Sequence, residues 1–164
     1  MNCVIDQMRP SDWEQVREIY LQGIRSGHST FETEAPSWER WDEAHLPFAR
    51  LVMREGERVL GWAALSPVSK RQVYRGVAEL TVYVAESARG RGIGRALLDE
   101  LIEESERNGI WTLQASIFPE NVASVELHRR CGFREVGRRE RIAMLSNVWR
   151  DTLLFERRSN ASSG

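Results

Sequence analysis

Cysteine is nearly absent: the 164 residues hold two, Cys3 and Cys131. Two thiols so far apart offer neither a disulfide framework nor the paired spacing of a zinc site, so no metal is expected. Long hydrophobic runs are missing as well. No stretch approaches the ~20 apolar residues of a membrane span, and the N-terminus lacks the apolar core of a signal peptide. A reduced, cytoplasmic setting without membrane attachment is the simplest expectation. Nor is there an excess of charge of either sign, with 23 basic against 24 acidic residues and a net charge of −1. That balance speaks against a dedicated nucleic-acid binder, which carries a basic surplus, although Arg89, Arg91 and Arg95 form a local basic patch. Internal repeats and linkers are absent too. The chain therefore reads as one domain over residues 1–156, with residues 157–164 as a low-complexity, mobile tail.

What the chain does contain is a strand, a glycine loop and a helix in immediate succession. Val77 to Val84 is rich in β-branched and aromatic residues, as a strand requires. From Ile93 the apolar positions Leu97, Leu98, Leu101 and Ile102 recur at helical spacing, and Asn108-Gly109 supplies a stop. Between them, Arg89-Gly90-Arg91-Gly92-Ile93-Gly94-Arg95 puts three glycines where the helix begins. Glycine allows a tight turn and close approach of a ligand, and the free N–H groups of a first helical turn attract a phosphate or pyrophosphate. Two familiar phosphate motifs do not fit. A P-loop needs a lysine that is missing here, and the glycine spacing differs from the dinucleotide fingerprint.

The segment Arg89-x-x-Gly92-x-Gly94 resembles the acetyl-coenzyme A pyrophosphate loop of the GCN5-related N-acetyltransferases, the GNAT superfamily. Downstream, Asn121-x-x-Ser124-x-x-Leu127-His128, followed by Gly132-Phe133, is similar to that superfamily's second cofactor element. The resemblance runs from Ile5 to about Glu156. It implies an α/β (α+β) fold: a mixed, mostly antiparallel sheet of six to seven strands flanked by about four helices. Acetyl-CoA is the implied co-substrate, contacted by Val82, Tyr83, Val84, Arg89 through Arg95 (including Gly90, Arg91, Gly92, Ile93 and Gly94), Asn121, Ser124 and Arg130. The strand carrying Val82-Tyr83-Val84 is expected to splay from its neighbour, leaving backbone groups for the pantetheine arm.

The remaining elements follow from pattern. Cys3 to Met8 reads as a strand, and Ser11 with Glu14 as a capping box opening a helix striped by Trp13, Val16, Tyr20 and Ile24. A loop from His28 to Glu34 follows, and Phe31 within it needs something to pack against. Ser37 caps a second helix with the stripe Trp38, Trp41, His45 and Phe48. Leu51–Arg54 and Val59–Leu65 are strands about a glycine turn, Trp111–Ile117 is another, and Asn121 caps a further helix ending at Cys131-Gly132. Phe133–Ala143 and Val148–Phe155 read as a closing antiparallel pair.

Acetyl transfer to an amine needs a base for the ammonium proton, a donor for the thioester oxygen as it gains charge, and an acid for the departing thiolate. Glu79 is the only acidic residue inside the Val77–Val84 strand. A carboxylate there is costly unless paired or used, so it is either the base or the partner of Arg71 or Arg75. His128 stands where many relatives carry an acidic tyrosine, and serves either as that acid or as a structural histidine. Phe31, Glu32-Thr33-Glu34, the Leu127-His128 pair and Trp149-x-Asp151 resemble the phosphinothricin and methionine sulfoximine N-acetyltransferase branch. That resemblance implies Phe31, Glu32, Ser69, Lys70, Arg71, Tyr74, Glu79, Leu80 and Thr81 as contacts of a small amino-acid-like amine, and a homodimer. The segment Met144 to Val148 departs from the branch's glycine- and lysine-rich turn. Two alternatives stand beside this expectation: a protein or peptide N-terminal acetyltransferase, and a non-catalytic coenzyme A-binding module.

Overall fold

Residues alternating along strands and striped along helices sort the described residues into seven strands and four α-helices. A computed structural model describes residues 2–161. The elements are β1 (Cys3–Gln7), α1 (Trp13–Ser26), α2 (Trp38–Ala44), β2 (Leu51–Glu55), β3 (Arg58–Pro67), β4 (Val77–Val84), α3 (Ile93–Arg107), β5 (Thr112–Ile117), α4 (Val122–Arg130), β6 (Arg134–Leu145) and β7 (Val148–Arg158). The strands form one sheet in the order β1-β2-β3-β4-β5-β7-β6. Every neighbouring pair is antiparallel except β4 and β5, which run parallel. This is the mixed, mostly antiparallel α/β architecture that the sequence led us to expect.

The middle of the sheet is apolar on both faces. Val59 through Leu65 of β3 are all buried, as a continuous apolar run between two helical layers should be. Successive β3 residues face opposite layers. Trp62 meets Tyr20 of α1, whereas a Cβ built on Gly61 would touch Leu97 and Ile93 of α3. So α1 and α3 cover opposite faces of the same strands. In α3, Leu97, Leu98 and Leu101 are fully buried. At about 1.5–3 kcal/mol for each fully buried leucine, packing anchors this helix more firmly than its intrinsic propensity could.

Three details differ from the sequence expectation. The first helix is not opened by Ser11. Pro10–Asp12 form a 3₁₀ turn, and the buried Asp12 carboxylate accepts the Arg9 N–H at 2.7 Å and both Arg54 terminal nitrogens at 2.6 Å. Burial alone would raise the Asp12 carboxyl, but these partners outweigh it and hold the group below its ordinary value. The second helix ends at Ala44, because His45 is extended with its ring on the Trp41 carbonyl at 2.6 Å, so Phe48 lies outside it. Finally, β7 continues to Arg158 and Ser159 is buried against the Trp111 carbonyl, past the boundary drawn at residue 156. Residues 162–164 of the expected tail lie outside the described residues.

Candidate functional site

β4 and β5 are paired over only three positions, Val77 with Thr112, Ala78 with Leu113 and Glu79 with Gln114. Beyond them β4 stays with β3 as far as Val84, and β5 stays with β7 as far as Ile117. The two strands therefore part at Glu79, and the β4 edge from Leu80 onward has no β5 ladder. A cavity of about 690 Å³ opens in the gap. β4 contributes Glu79 through Tyr83, the β5–α4 side contributes Ser116, Phe118, Asn121, Ser124 and His128, and the segment around α2 contributes Thr30, Phe31, Glu32, Trp41 and His45.

Glu79 sits where the strands divide, half-buried, with Oε1 accepting the Gln114 side-chain N–H at 3.1 Å. Neither arginine proposed as its partner reaches it. The Arg71 guanidinium stands over the Tyr74 ring at 5.6 Å, and that of Arg75 over Trp111 at 5.4 Å. Glu79 is thus a cleft carboxylate without an ion pair among the described residues.

His128, 4% exposed, has Nδ1 2.7 Å from the Ser124 carbonyl oxygen. A carbonyl only accepts, so Nδ1 carries the proton. Nε2 is buried with no partner, and the ring stands edge-on to Phe133. Burial pushes its pKa below the ordinary imidazole value, the Ser124 bond opposing in part. The ring is then neutral near pH 7, with its lone pair at Nε2. In that form Nε2 can give a proton only after first taking one up.

At the other end of β4 the glycine loop meets α3. Gly90 and Gly92 have φ of 78° and 76°, a left-handed backbone that only glycine adopts freely. A Cβ at either position would meet nothing within 4 Å, so the requirement comes from the backbone angle and the outer side is open. A Cβ on Gly94 would contact Leu127 of α4 at 3.4 Å and Val84 of β4 at 3.5 Å, so here the loop joins the two elements expected to hold the cofactor. The first helical bond runs from the Ala96 N–H to the Gly92 carbonyl, and no acidic side chain occupies the first turn. The N–H groups and the positive end of the dipole are left for an anion. Of the three arginines, Arg91 is engaged by Glu55 at 2.7 Å and Arg95 by Asp99 at 3.1 Å. Arg89 is exposed and has no side-chain partner among the described residues.

The structure gathers some expected residues and not others. Val82, Tyr83, Asn121, Ser124, Phe31, Glu32, Leu80 and Thr81 line the cavity with Glu79 and His128. Asn121 caps α4, its Oδ1 accepting the Ser124 N–H at 3.2 Å. Phe31 finds the packing partner it needs in Phe118, edge-on at 4.8 Å. Ser69, Lys70, Arg71 and Tyr74 do not line the cavity; they belong to the largely exposed β3–β4 connection. Val84, the loop from Arg89 to Arg95, and Arg130 at the end of α4 are also outside the lining.

Of one wall, only Tyr83 was anticipated as part of the site. Tyr20, Trp62 and Tyr83 pack with centroids 5.1 to 5.8 Å apart and line the cavity beside Trp41, the Trp62 and Tyr83 rings stacked and Tyr20 tilted to both. Burial pushes the Tyr83 phenol well above its usual pKa. The sequence did hold a sign of this wall in Gly23, a glycine inside an amphipathic helix. A Cβ there would come within 2.5 Å of the Tyr83 ring.

Comparison with known proteins adds five similarities. The model of the acetyltransferase (GNAT) family matches residues 13–133. A phosphinothricin N-acetyltransferase from Alcaligenes faecalis is 33% identical over 168 residues, covering 97% of this chain and 84% of that one. An L-methionine sulfoximine/L-methionine sulfone acetyltransferase from Salmonella typhimurium is 33% identical over 151 residues, covering 89% and 88%. Among solved structures, a GNAT superfamily phosphinothricin acetyltransferase from Sinorhizobium meliloti in complex with acetyl-CoA superposes with a TM-score of 0.88 at 27% identity, covering 99% and 93%. A ribosomal-protein-alanine N-acetyltransferase from Brucella melitensis does so with 0.88 at 30%, covering 95% and 99%.

Proposed function

The chain belongs to the acetyltransferase (GNAT) family, and on that premise we propose that it moves the acetyl group of acetyl-CoA to the α-amino group of a small amino-acid-like acceptor of the phosphinothricin or methionine sulfoximine type. The observation that carries this reading is the parting of β4 and β5 at Glu79, which puts a carboxylate without an ion pair at the fork of the cleft.

The residues present fit acetyl-CoA. The open left-handed glycines and free first-turn N–H groups of α3 would hold the pyrophosphate, with Arg89, which has no side-chain partner among the described residues, beside them. The unladdered β4 edge from Leu80 to Val84 would hold the pantetheine arm, and Asn121 and Ser124 lie across the gap. Glu79 takes the proton of the acceptor ammonium, directly or through water. A β4 N–H between Leu80 and Val82 donates to the thioester oxygen as it gains charge. His128 is neutral before the reaction; Nε2 takes the second amine proton as the tetrahedral intermediate forms and passes it to the departing thiolate, which leaves as the thiol. The amine attacks the thioester directly while both substrates are bound, so no acyl-enzyme forms. Phe31, Glu32 and Thr81 line the acceptor end, while Ser69, Lys70, Arg71 and Tyr74, outside the lining on the connection that follows Ser66 in sequence, would have to turn inward to supply charge and donors for the acceptor's anionic groups. The functional unit is a homodimer, paired through the exposed apolar tip of the β6–β7 hairpin, Ile142, Met144, Val148 and Trp149.

The likeness to the Brucella melitensis enzyme favours a second reading, transfer to a peptide N-terminus. Thiol release from acetyl-CoA, measured with free phosphinothricin, methionine sulfoximine, common amino acids and alanine-terminated peptides, separates the two. We expect kcat/KM for a free analogue to exceed that for any peptide. Turnover of peptides alone would overturn the small-molecule reading, and no turnover of any amine would favour a binding module.

A further inference from the structure

Arg150 reaches from β7 to the start of the loop that carries Phe31. Its Nη1 donates to the Gly27 carbonyl at 2.9 Å, and Nη2 donates to His28 Nδ1 at 3.1 Å and to Glu120 at 3.4 Å. The guanidinium carbon lies over Phe118, 4.2 Å from the ring centroid, and the side chain is only 11% exposed. Gly27 is the left-handed residue that ends α1. Phe118 and Glu120 belong to the β5–α4 connection, immediately before Asn121. Phe118 is also the ring against which Phe31 packs. One side chain thus ties three segments that are distant in sequence, two of which wall the cavity. Arginine suits this task because its planar fork donates in several directions while its face stacks on an aromatic ring.

We propose that Arg150 is a positioning residue of the acceptor site, a latch that fixes the segment from Gly27 to Glu32 against the β5–α4 connection and so sets the wall made by Phe31. It rests on the reading of the cavity as the place where the amine binds. Arg150 touches neither substrate. It sets how far the Phe31 wall stands from Glu79, and with it the fit of the acceptor, while leaving the glycine loop of α3 untouched.

The test compares Arg150→Met, which keeps the stem and removes the fork, with Arg150→Lys and Glu120→Gln. Kinetics are measured with whichever amine the wild-type chain acetylates, and amide hydrogen exchange is followed over residues 27–34. For Arg150→Met, the acceptor KM should rise about tenfold or more, the scale of losing charge-assisted bonds. The KM for acetyl-CoA should stay within about twofold and kcat within about threefold. Exchange over residues 27–34 should quicken about tenfold or more. Arg150→Lys, able to keep one bond to Gly27, should fall between. Glu120→Gln should be near neutral, because its contact is long and Glu120 is 49% exposed. A lower melting temperature with both KM values unchanged would make Arg150 mere scaffolding and overturn the proposal. So would unchanged exchange over 27–34, or a Glu120→Gln effect as large as that of Arg150→Met. Should the wild-type chain acetylate no amine, the acceptor reading fails, and the exchange measurement still decides the latch by itself.

Discussion

Glu79 is held by a single neutral contact, the amide of Gln114, and a glutamine in its place could accept the same hydrogen bond while losing the ability to take a proton. We expect Glu79→Gln to leave the fold and the KM for acetyl-CoA nearly unchanged and to lower kcat by a factor on the order of 10²–10⁴. Steady-state kinetics at saturating acetyl-CoA check this, and a kcat within about tenfold of wild type would return Glu79 to a structural role. The carboxylate was legible from sequence, since a lone acid inside an apolar strand needs a reason. Its choice between base and ion pair was not, because that depends on where Arg71 and Arg75 go, and they turn to Tyr74 and Trp111. The protonation of His128 was hidden for a similar reason. The residue type suggests an acid, but the carbonyl one helical turn back fixes the proton on Nδ1.

At the scale of elements, the junction of β4 with α3 concentrates the cofactor argument in Gly92. A side chain at its φ of 76° costs roughly 1–2 kcal/mol whatever surrounds it, so a fair test needs a control with the same strain. Gly109, with φ of 82°, closes the opposite end of α3. We expect Gly92→Ala and Gly109→Ala to lose similar stability in urea denaturation, and only Gly92→Ala to weaken acetyl-CoA binding, by about tenfold or more in calorimetric titration. Equal affinities in the two variants would detach the loop from the cofactor. This junction was readable in advance because strand, loop and helix are local and each declares itself by period. The fork between β4 and β5 carries no such mark in either strand. It arises because β5 prefers β7 and β4 prefers β3, a matter of non-local pairing. Asp12 displaced Ser11 as the acceptor before α1 for the same kind of reason, since Arg54 arrives from another strand. Arg150 has the same history, sitting unremarked between Trp149 and Asp151, its partners more than a hundred residues away at Gly27 and His28.

For the molecule as a whole, the buried His128 and the half-buried His45 should set the mildly acidic limb of stability. Burial lowers the pKa of both His45 and His128 below the ordinary 6.5. As pH falls through that value the unfolded chain takes up protons first, so the stabilisation is complete above it and is lost progressively towards each ring's own lower pKa. The paired carboxylates act later. Asp6 and Asp12, held below their ordinary values with Arg54, lose their contribution only below about pH 4. Urea midpoints measured from pH 7 to 4.5 should therefore decline, each histidine contributing at most about 1.4 kcal/mol per pH unit. A variant with both replaced by glutamine, which can still donate to the Trp41 and Ser124 carbonyls, should show a flatter curve, and an unchanged slope would place the effect elsewhere. The six tryptophans also differ in exposure, with Trp13, Trp38 and Trp111 half-buried between two extremes. Trp41 and Trp62 are fully buried in the cavity wall, with Trp62 5.2 Å from Tyr83, while Trp149 stands 56% exposed at the hairpin tip. The buried pair in the cavity wall should emit at the blue edge of the spectrum, and Trp149, on the face proposed for a second copy, at the red edge. Filling the cavity should alter the first, and dilution should open the second to iodide quenching, so substrate entry and self-association can be followed separately in one emission spectrum.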